Sequence, residues 1–283
     1  MPFRRISSLA AAVALVALGA ACTEDLGPGQ PALTSAQADS LAEVVTMDMD
    51  AEIDAATSTG AAAGFGLNAA ACLPTVSPTP VVNTDGDRAP DSVRVAFSAC
   101  ANTWPGFVDS ISGSVDLVDP TPAVAGANVR IVFNELRHKR LFPSGAFTSL
   151  TLDGTRQASR DSSILQHEVI DFSTQYVFRN GGTASHIRTW NSVFTADVAG
   201  SIARDGALPS GNWNVAGNST WTRGAGSWSV VVTTNPALHY NASCTVMPRF
   251  DSGTVTAVVT RGGATSNVTI QFTACGTYTV TRS

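Results

Sequence analysis

Charge is scarce in this chain: Asp, Glu, Lys and Arg make up 14% of its 283 residues, with 22 acidic against 17 basic. A duplex-binding protein needs a basic face that displaces counterions. The one dense basic stretch is Arg137-His138-Lys139-Arg140. It reads as a solvated turn between strands, with contact to an anionic polymer as the alternative, so nucleic acid is not expected as a partner. Catalytic signatures are missing as well. There is no GxSxG elbow, HExxH helix, CxxC pair or glycine-rich phosphate loop. The four histidines, His138, His167, His186 and His239, are scattered. His167 and Glu168 are neighbours, but on a strand they point to opposite faces and cannot converge. Pairing Asp161 with Glu168 for hydrolysis rests on no pattern. Nor does any apolar run reach the roughly 20 residues that a helix needs to cross hydrocarbon.

The longest apolar run, Leu9–Ala21, follows Arg4-Arg5 and ends on small residues before Cys22. A charged segment, an apolar segment and small residues at a cleavage point are the layout of an export signal, here residues 1–21. Leu18-Gly19-Ala20-Ala21-Cys22 resembles the lipobox of bacterial lipoprotein precursors. That resemblance implies lipidation at Cys22 and a cell-envelope location, with Thr23 after the cysteine pointing to the outer membrane, facing periplasm or surface. Ordinary signal-peptidase cleavage and a soluble secreted product is the alternative. Removal of the signal also takes away Arg4 and Arg5, which leaves the mature chain more acidic.

Five cysteines in an oxidising compartment leave one thiol over. Lipid on Cys22 resolves the count, and Cys72, Cys100, Cys244 and Cys275 can then form two disulfides in three possible connectivities. The local pairs Cys72–Cys100 and Cys244–Cys275 are favoured. Each closes a loop of about 30 residues, stabilising the fold by roughly 3–4 kcal/mol in the chain-entropy view.

Residues 22–33, rich in Gly and Pro, read as a tether. Residues 34–55 read as an amphipathic helix: Thr34 and Gln37 form a capping box, and Leu41, Val45, Met49 and Ile53 make an apolar stripe. Asp39, Glu43, Asp50 and Asp54 are placed on the opposite, wet side. The stripe is expected to pack on its own domain. Residues 56–71, mostly small, form a linker.

From Cys72 onward, over residues 72–283, the period changes to two. Trp190, Ser192, Phe194, Ala196 and Val198 alternate with Asn191, Val193, Thr195 and Asp197, and Trp213, Val215 and Gly217 alternate with Asn212, Asn214 and Asn218. One buried and one wet face is the habit of antiparallel sheet. The glycine-rich stretches Asn180–Thr183, Arg223–Gly226 and Arg261–Ala264 are placed as hairpin turns. The fold class is therefore mainly all-β. About ten strands form a large antiparallel sheet curled into a barrel, half-barrel or sandwich, preceded by one helix. Val93–Cys100 and Val268–Cys275 match in character at eight positions, read either as a duplication or as convergence of two buried strands.

Two clusters are candidate sites. Asn83-Thr84-Asp85-Gly86-Asp87-Arg88-Ala89-Pro90-Asp91 resembles the calcium-binding repeat of thrombospondin type-3 modules. The resemblance implies Asn83, Asp85, Asp87, Asp91 and the Ala89 carbonyl as ligands of a structural calcium. An Asp-Gly turn leading to the next strand is the alternative. Trp190, Trp213, Trp221 and Trp228 line one surface if their faces coincide, either a core or a lining for a hydrophobic ligand. The expected role is non-enzymatic: an envelope lipoprotein, anchored to the membrane by lipid, that binds a hydrophobic small molecule or an envelope component. A structural or adhesive module, a hydrolase with an unrecognised site and an outer-membrane barrel are the rival readings.

Overall fold

The backbone N–H of Thr34 donates to Gln37 Oε1 at 2.9 Å, and that of Gln37 donates to Thr34 Oγ1 at 3.2 Å. This is the reciprocal capping box expected at the start of the helix. The helix, α1, runs Ser35–Thr57. The computed structural model describes residues 33–57, 74–87, 89–126, 128–203 and 207–283, without the side chains of residues 48, 51–57 and 99. The expected signal, residues 22–32 of the tether, residues 58–71 of the linker and Cys72 lie outside the described residues.

Leu41, Val45 and Met49 of α1 are buried, and so are Ala38, Ala42, Thr46 and Asp50. A helix repeats every 3.6 residues rather than every four, so the buried stripe widens by one position per turn. This draws in Asp50, which alternation by fours had placed on the wet side.

Thirteen strands follow among the described residues, rather than about ten. They are β1 (Thr75–Ser77), β2 (Ser92–Trp104), β3 (Phe107–Val118), β4 (Val129–Leu141), β5 (Phe147–Arg160), β6 (Ile164–Val177) and β7 (Thr183–Ala196). Then come β8 (Gly211–Arg223), β9 (Gly226–Thr234), β10 (Leu238–Tyr240), β11 (Phe250–Arg261), β12 (Ala264–Ala274) and β13 (Thr277–Arg282). All pair antiparallel in one sheet, with β1 and β13 at the two edges.

The excess comes from short strands. β9 and β10 share one lane between β8 and β11, β10 on Gly211–Trp213 and β9 on Ala216–Arg223. At the break, Val215 N–H donates to Thr234 Oγ1 at 2.9 Å, so a side chain carries the ladder across the gap. The basic cluster also departs from expectation. It lies within β4 rather than in a turn, because Arg137, His138, Lys139 and Arg140 alternate faces in register with β3 and β5.

The sheet curls with its apolar face inward. Phe133 of β4, Val169 of β6, Phe194 of β7, Trp213 of β8, Val255 of β11 and Ile270 of β12 share one core with the α1 stripe. The helix touches β6 as well as β12 and β13, so it lies inside the curl and plugs it. The outward face of β8 reads Asn212, Asn214, Ala216, Asn218, Thr220 and Thr222. A membrane barrel presents an apolar outer face, which β8 does not.

Cys244 and Cys275 are joined by a disulfide, the local pairing expected. Cys100 is also disulfide-bonded, and its expected partner, Cys72, lies outside the described residues. The two matching eight-residue segments fall in β2 and at the end of β12, each next to an edge strand. In both, the register slips just before the cysteine, between Phe97 and Cys100 and between Phe272 and Ala274.

Candidate functional site

A row of bulges crosses the sheet from β2 to β7, with register slips at Phe97/Cys100, Ser112/Ser114, Phe133/Leu136, Asp153/Thr155 and Val169/Phe172. Each bulge adds a residue to one strand, bends it and increases its twist. Two non-glycine residues take positive φ in this row, Glu135 and Asp171, both at 47°. Each is packed against a glycine of the preceding strand. A Cβ on Gly113 would meet the Glu135 carbonyl, and one on Gly154 would come 2.7 Å from the Asp171 carbonyl. Side chains of the next strand meet the bulged N–H groups: Glu135 N–H donates to Asp153 Oδ2 at 3.1 Å and Asp171 N–H to Thr189 Oγ1 at 3.3 Å.

Beside this bend, β3 to β6 form a cleft of about 740 Å³ on the face away from the core. It is lined by Ser112, Gly113, Asn134, Glu135, Arg137, Ser149, Thr151, Asp153, Gln175 and Val177, all but two of them polar or charged. The register explains the polarity. Leu136 and Leu152 pair and turn inward, so their neighbours Arg137, Thr151 and Asp153 turn outward. Phe147 stands two residues before Ser149 on the same face, with Lys139 Nζ 4.5 Å and the Arg137 guanidinium 5.9 Å from its ring centre. The Nε of Arg137 is buried and has no acceptor. Alternate polar residues on β4, β5 and β6 were the available signal for this cleft, but only the register brings them side by side.

All four tryptophans singled out in the sequence face the inside of the curl, where they divide. Trp190 and Trp213 are buried in the core, at 6% and 0% exposure. Trp221 and Trp228 are half-buried. Trp221 stacks on His186 at 3.6 Å and on Trp228 at 5.7 Å, with all three rings nearly parallel. Burial, with the nearby Arg188 charge adding to it, pushes the His186 pKa down to about 3.

His167 is buried, while Glu168 faces outward and accepts from Asn191. His138 lies 3.5 Å from Asp109, which Arg140 grips with two hydrogen bonds. His239 gathers the most groups. Its Nδ1 lies 2.7 Å from Asp251 Oδ1 and its Nε2 2.9 Å from Asp197 Oδ2. Burial opposes the charged ring, but hydrogen bonds and charge from Asp197 and Asp251 outweigh it and hold the pKa above the ordinary histidine value. A histidine acting as general base keeps one nitrogen for the nucleophile. Here carboxylates occupy both, so the group is a clamp between the chain after β7 and β10–β11.

In the calcium-like loop, Asn83 Oδ1 accepts Gly86 N–H, and Asp91 accepts from the backbone and hydroxyl of Thr84. These hydrogen bonds hold the Asp91 pKa below the usual carboxylate range. The Ala89 N–H donates to Asp87. Asp85 and Asp87 instead converge with Asp119, which the sequence reading did not single out and which directly follows β3. No family model, curated protein or solved structure matches this chain.

Proposed function

We propose that this chain is an exported, lipid-anchored, non-enzymatic envelope protein that binds a hydroxyl-rich glycan in the outward cleft of β3 to β6. The observation that carries the reading is the cleft of about 740 Å³, lined by hydroxyl, amide, carboxylate and guanidinium groups, with the Arg137 Nε left without an acceptor. Closely spaced donors and acceptors match the mixed hydroxyls of a sugar. A buried unpaired donor favours a ligand that supplies an acceptor. The bulged backbone at Glu135 and Asp171, both at positive φ, holds strain of the kind that gathers at binding sites. The interior of the curl is taken up by α1 and the core side chains, so the glycan cleft fits the shape better than a lipid-filled lumen.

The test is co-sedimentation of the full chain with purified peptidoglycan sacculi, together with calorimetry against soluble glycan fragments. Saturable binding that falls at least tenfold in Arg137→Ala and Asp153→Ala supports the reading. Binding unchanged in both variants overturns it.

A second reading keeps the hydrophobic ligand, favoured by Trp221 and Trp228 remaining half-buried beside His186. Native mass spectrometry under gentle and denaturing conditions separates the two. A releasable mass of lipid size that is lost in Trp221→Ala supports the hydrophobic ligand.

A further inference from the structure

Two stretches of chain meet where the hairpin β2–β3 begins and ends: the segment before β2 and the β3–β4 connection. The first supplies Asp85 and Asp87, and the second supplies Asp119, whose N–H points at the carbonyls of Pro90 and Asp91, both at 3.2 Å. One carboxylate oxygen from each of the three lies within 4.8 Å of the other two.

Each carboxylate spends one side on its own loop. Asp85 Oδ1 accepts the N–H of Asp87 at 3.0 Å, and Asp87 Oδ1 accepts that of Ala89 at 2.7 Å. Asp119 Oδ1 accepts both the N–H of Thr121 at 2.7 Å and its hydroxyl at 3.2 Å. Asp87 Oδ2 receives a longer bond, 3.3 Å, from Gly126 in the β3–β4 connection. This leaves Asp85 Oδ2 and Asp119 Oδ2, both buried and both without any hydrogen-bond partner. Asp119 is 2% exposed and Asp87 7%.

Hydrogen-bonded turns account for one oxygen of each residue but not for the bare ones. Acidic groups crowded together and removed from water need a cation or shared protons, because the charged form is otherwise disfavoured by desolvation and by mutual repulsion. No cationic side chain among the described residues pairs with any of the three.

We infer that Asp85, Asp87 and Asp119 bind one calcium ion, through a ligand set that joins the loop before β2 to the end of β3. Asn83 and Asp91, the flanking members of the sequence pattern, are held by Gly86 and Thr84 instead. The chemistry is that of a hard cation, since the ligands are all oxygen with neither nitrogen nor sulfur. The oxygens lie close enough to share one ion: with calcium–oxygen distances near about 2.4 Å, ligands of one ion are at most about 4.8 Å apart, and all three fall within that limit. Magnesium demands regular octahedral geometry and gives up its water shell reluctantly, so a partly buried carboxylate set suits it less well. Bound there, the ion ties the segment that enters the β2–β3 hairpin to the connection that leaves it. With only three protein carboxylates against the roughly six to eight oxygens calcium takes, the expected affinity is weak, Kd on the order of 0.1–1 mM.

The test is calorimetry and thermal unfolding of the full chain in detergent, after removal of divalent ions with a chelator and on addition of calcium chloride. The expected result is one calcium bound per chain and a Tm raised by about 5–10 °C at calcium a hundredfold above Kd. Magnesium at equal concentration gives a smaller shift. Asp119→Asn abolishes the heat and the shift, and Asp91→Asn keeps both. If Asp119→Asn does not fold, Asp85→Asn at its half-buried position reads the same outcome. No binding heat and no Tm shift in the native chain overturns the site, as does unchanged binding in the folded variant. Arg88, outside the described residues, is covered by Arg88→Gln. A cluster that binds calcium only in this variant is balanced by Arg88, and the inference fails.

Discussion

Asp50 of α1 and Arg249, just before β11, are 199 residues apart in sequence and form a two-point ion pair, Nη2 to Oδ2 at 2.9 Å and Nε to Oδ1 at 3.1 Å. The Arg249 backbone N–H adds a third bond to Asp50 Oδ1 at 2.9 Å, and Nη2 also reaches the Asp50 carbonyl at 3.3 Å. Asp50 is 1% exposed. The helix is thus fixed in depth and rotation inside the curled sheet by a polar lock as well as by its apolar stripe.

Breaking that lock leaves a buried charge unpaired. Asp50→Asn or Arg249→Ala is expected to cost about 3–5 kcal/mol, whereas Asp50→Leu combined with Arg249→Met costs less than either single change. Chemical denaturation of the three variants checks the order. A double-variant loss equal to the sum of the two single losses would show that the pair contributes no coupling.

Gly154 holds φ at +120°, and an added Cβ would sit 2.7 Å from backbone atoms of Asp171 and Phe172. Gly224, at φ +57°, faces open space in a hairpin turn. Gly154→Ala is therefore expected to destabilise by about 2–3 kcal/mol and to distort the cleft, and Gly224→Ala by about 1 kcal/mol. Comparing the two denaturation midpoints tests whether the bulge row is as tight as its geometry.

Two histidines give opposite pH dependences. His186 has its pKa lowered from 6.5 to about 3, so between these values the unfolded chain binds the proton better. Its contribution is complete above about pH 6.5 and is lost as pH falls towards 3. His239 is raised, so its contribution is complete below about pH 6.5 and is lost as pH rises through the elevated value. His186→Phe should flatten the acid limb of a Tm–pH profile, and His239→Gln the limb above neutrality. An unchanged limb in either variant removes that histidine from the account.

If Cys22 carries lipid, Cys22→Ala moves the exported protein from the membrane to the soluble fraction. Fractionation after export checks this, and continued membrane association points to another mode of attachment.

Local structure was legible in the sequence wherever a short-range rule decided it. Thr34 and Gln37 announce the helix start because the capping box closes within four residues. Asn180–Thr183, Arg223–Gly226 and Arg261–Ala264 announce hairpins because glycine tolerates the backbone that such turns need. Trp213 and Val215 announce a one-sided strand because side chains alternate. The strand count was read too low because β1, β10 and β13 are too short to show a period. The basic cluster on β4 was misplaced because charge suggests a turn, whereas alternation puts Arg137 in the cleft and Arg140 against Asp109.

What the sequence by itself determined is the class of the fold: one capped helix followed by antiparallel sheet with an apolar face, while the choice of Cys244–Cys275 among the three connectivities came from the structure. Tertiary structure alone decided which distant groups meet. Asp119 joins Asp85 and Asp87, Arg249 meets Asp50, and His239 bridges Asp197 and Asp251. The reason is physical. Turns, caps and alternation act over a few residues and leave their mark locally, while these meetings depend on strand register, on the bend made by the bulges and on the depth of the helix in the curl. Those are settled only when the whole apolar face is buried at once.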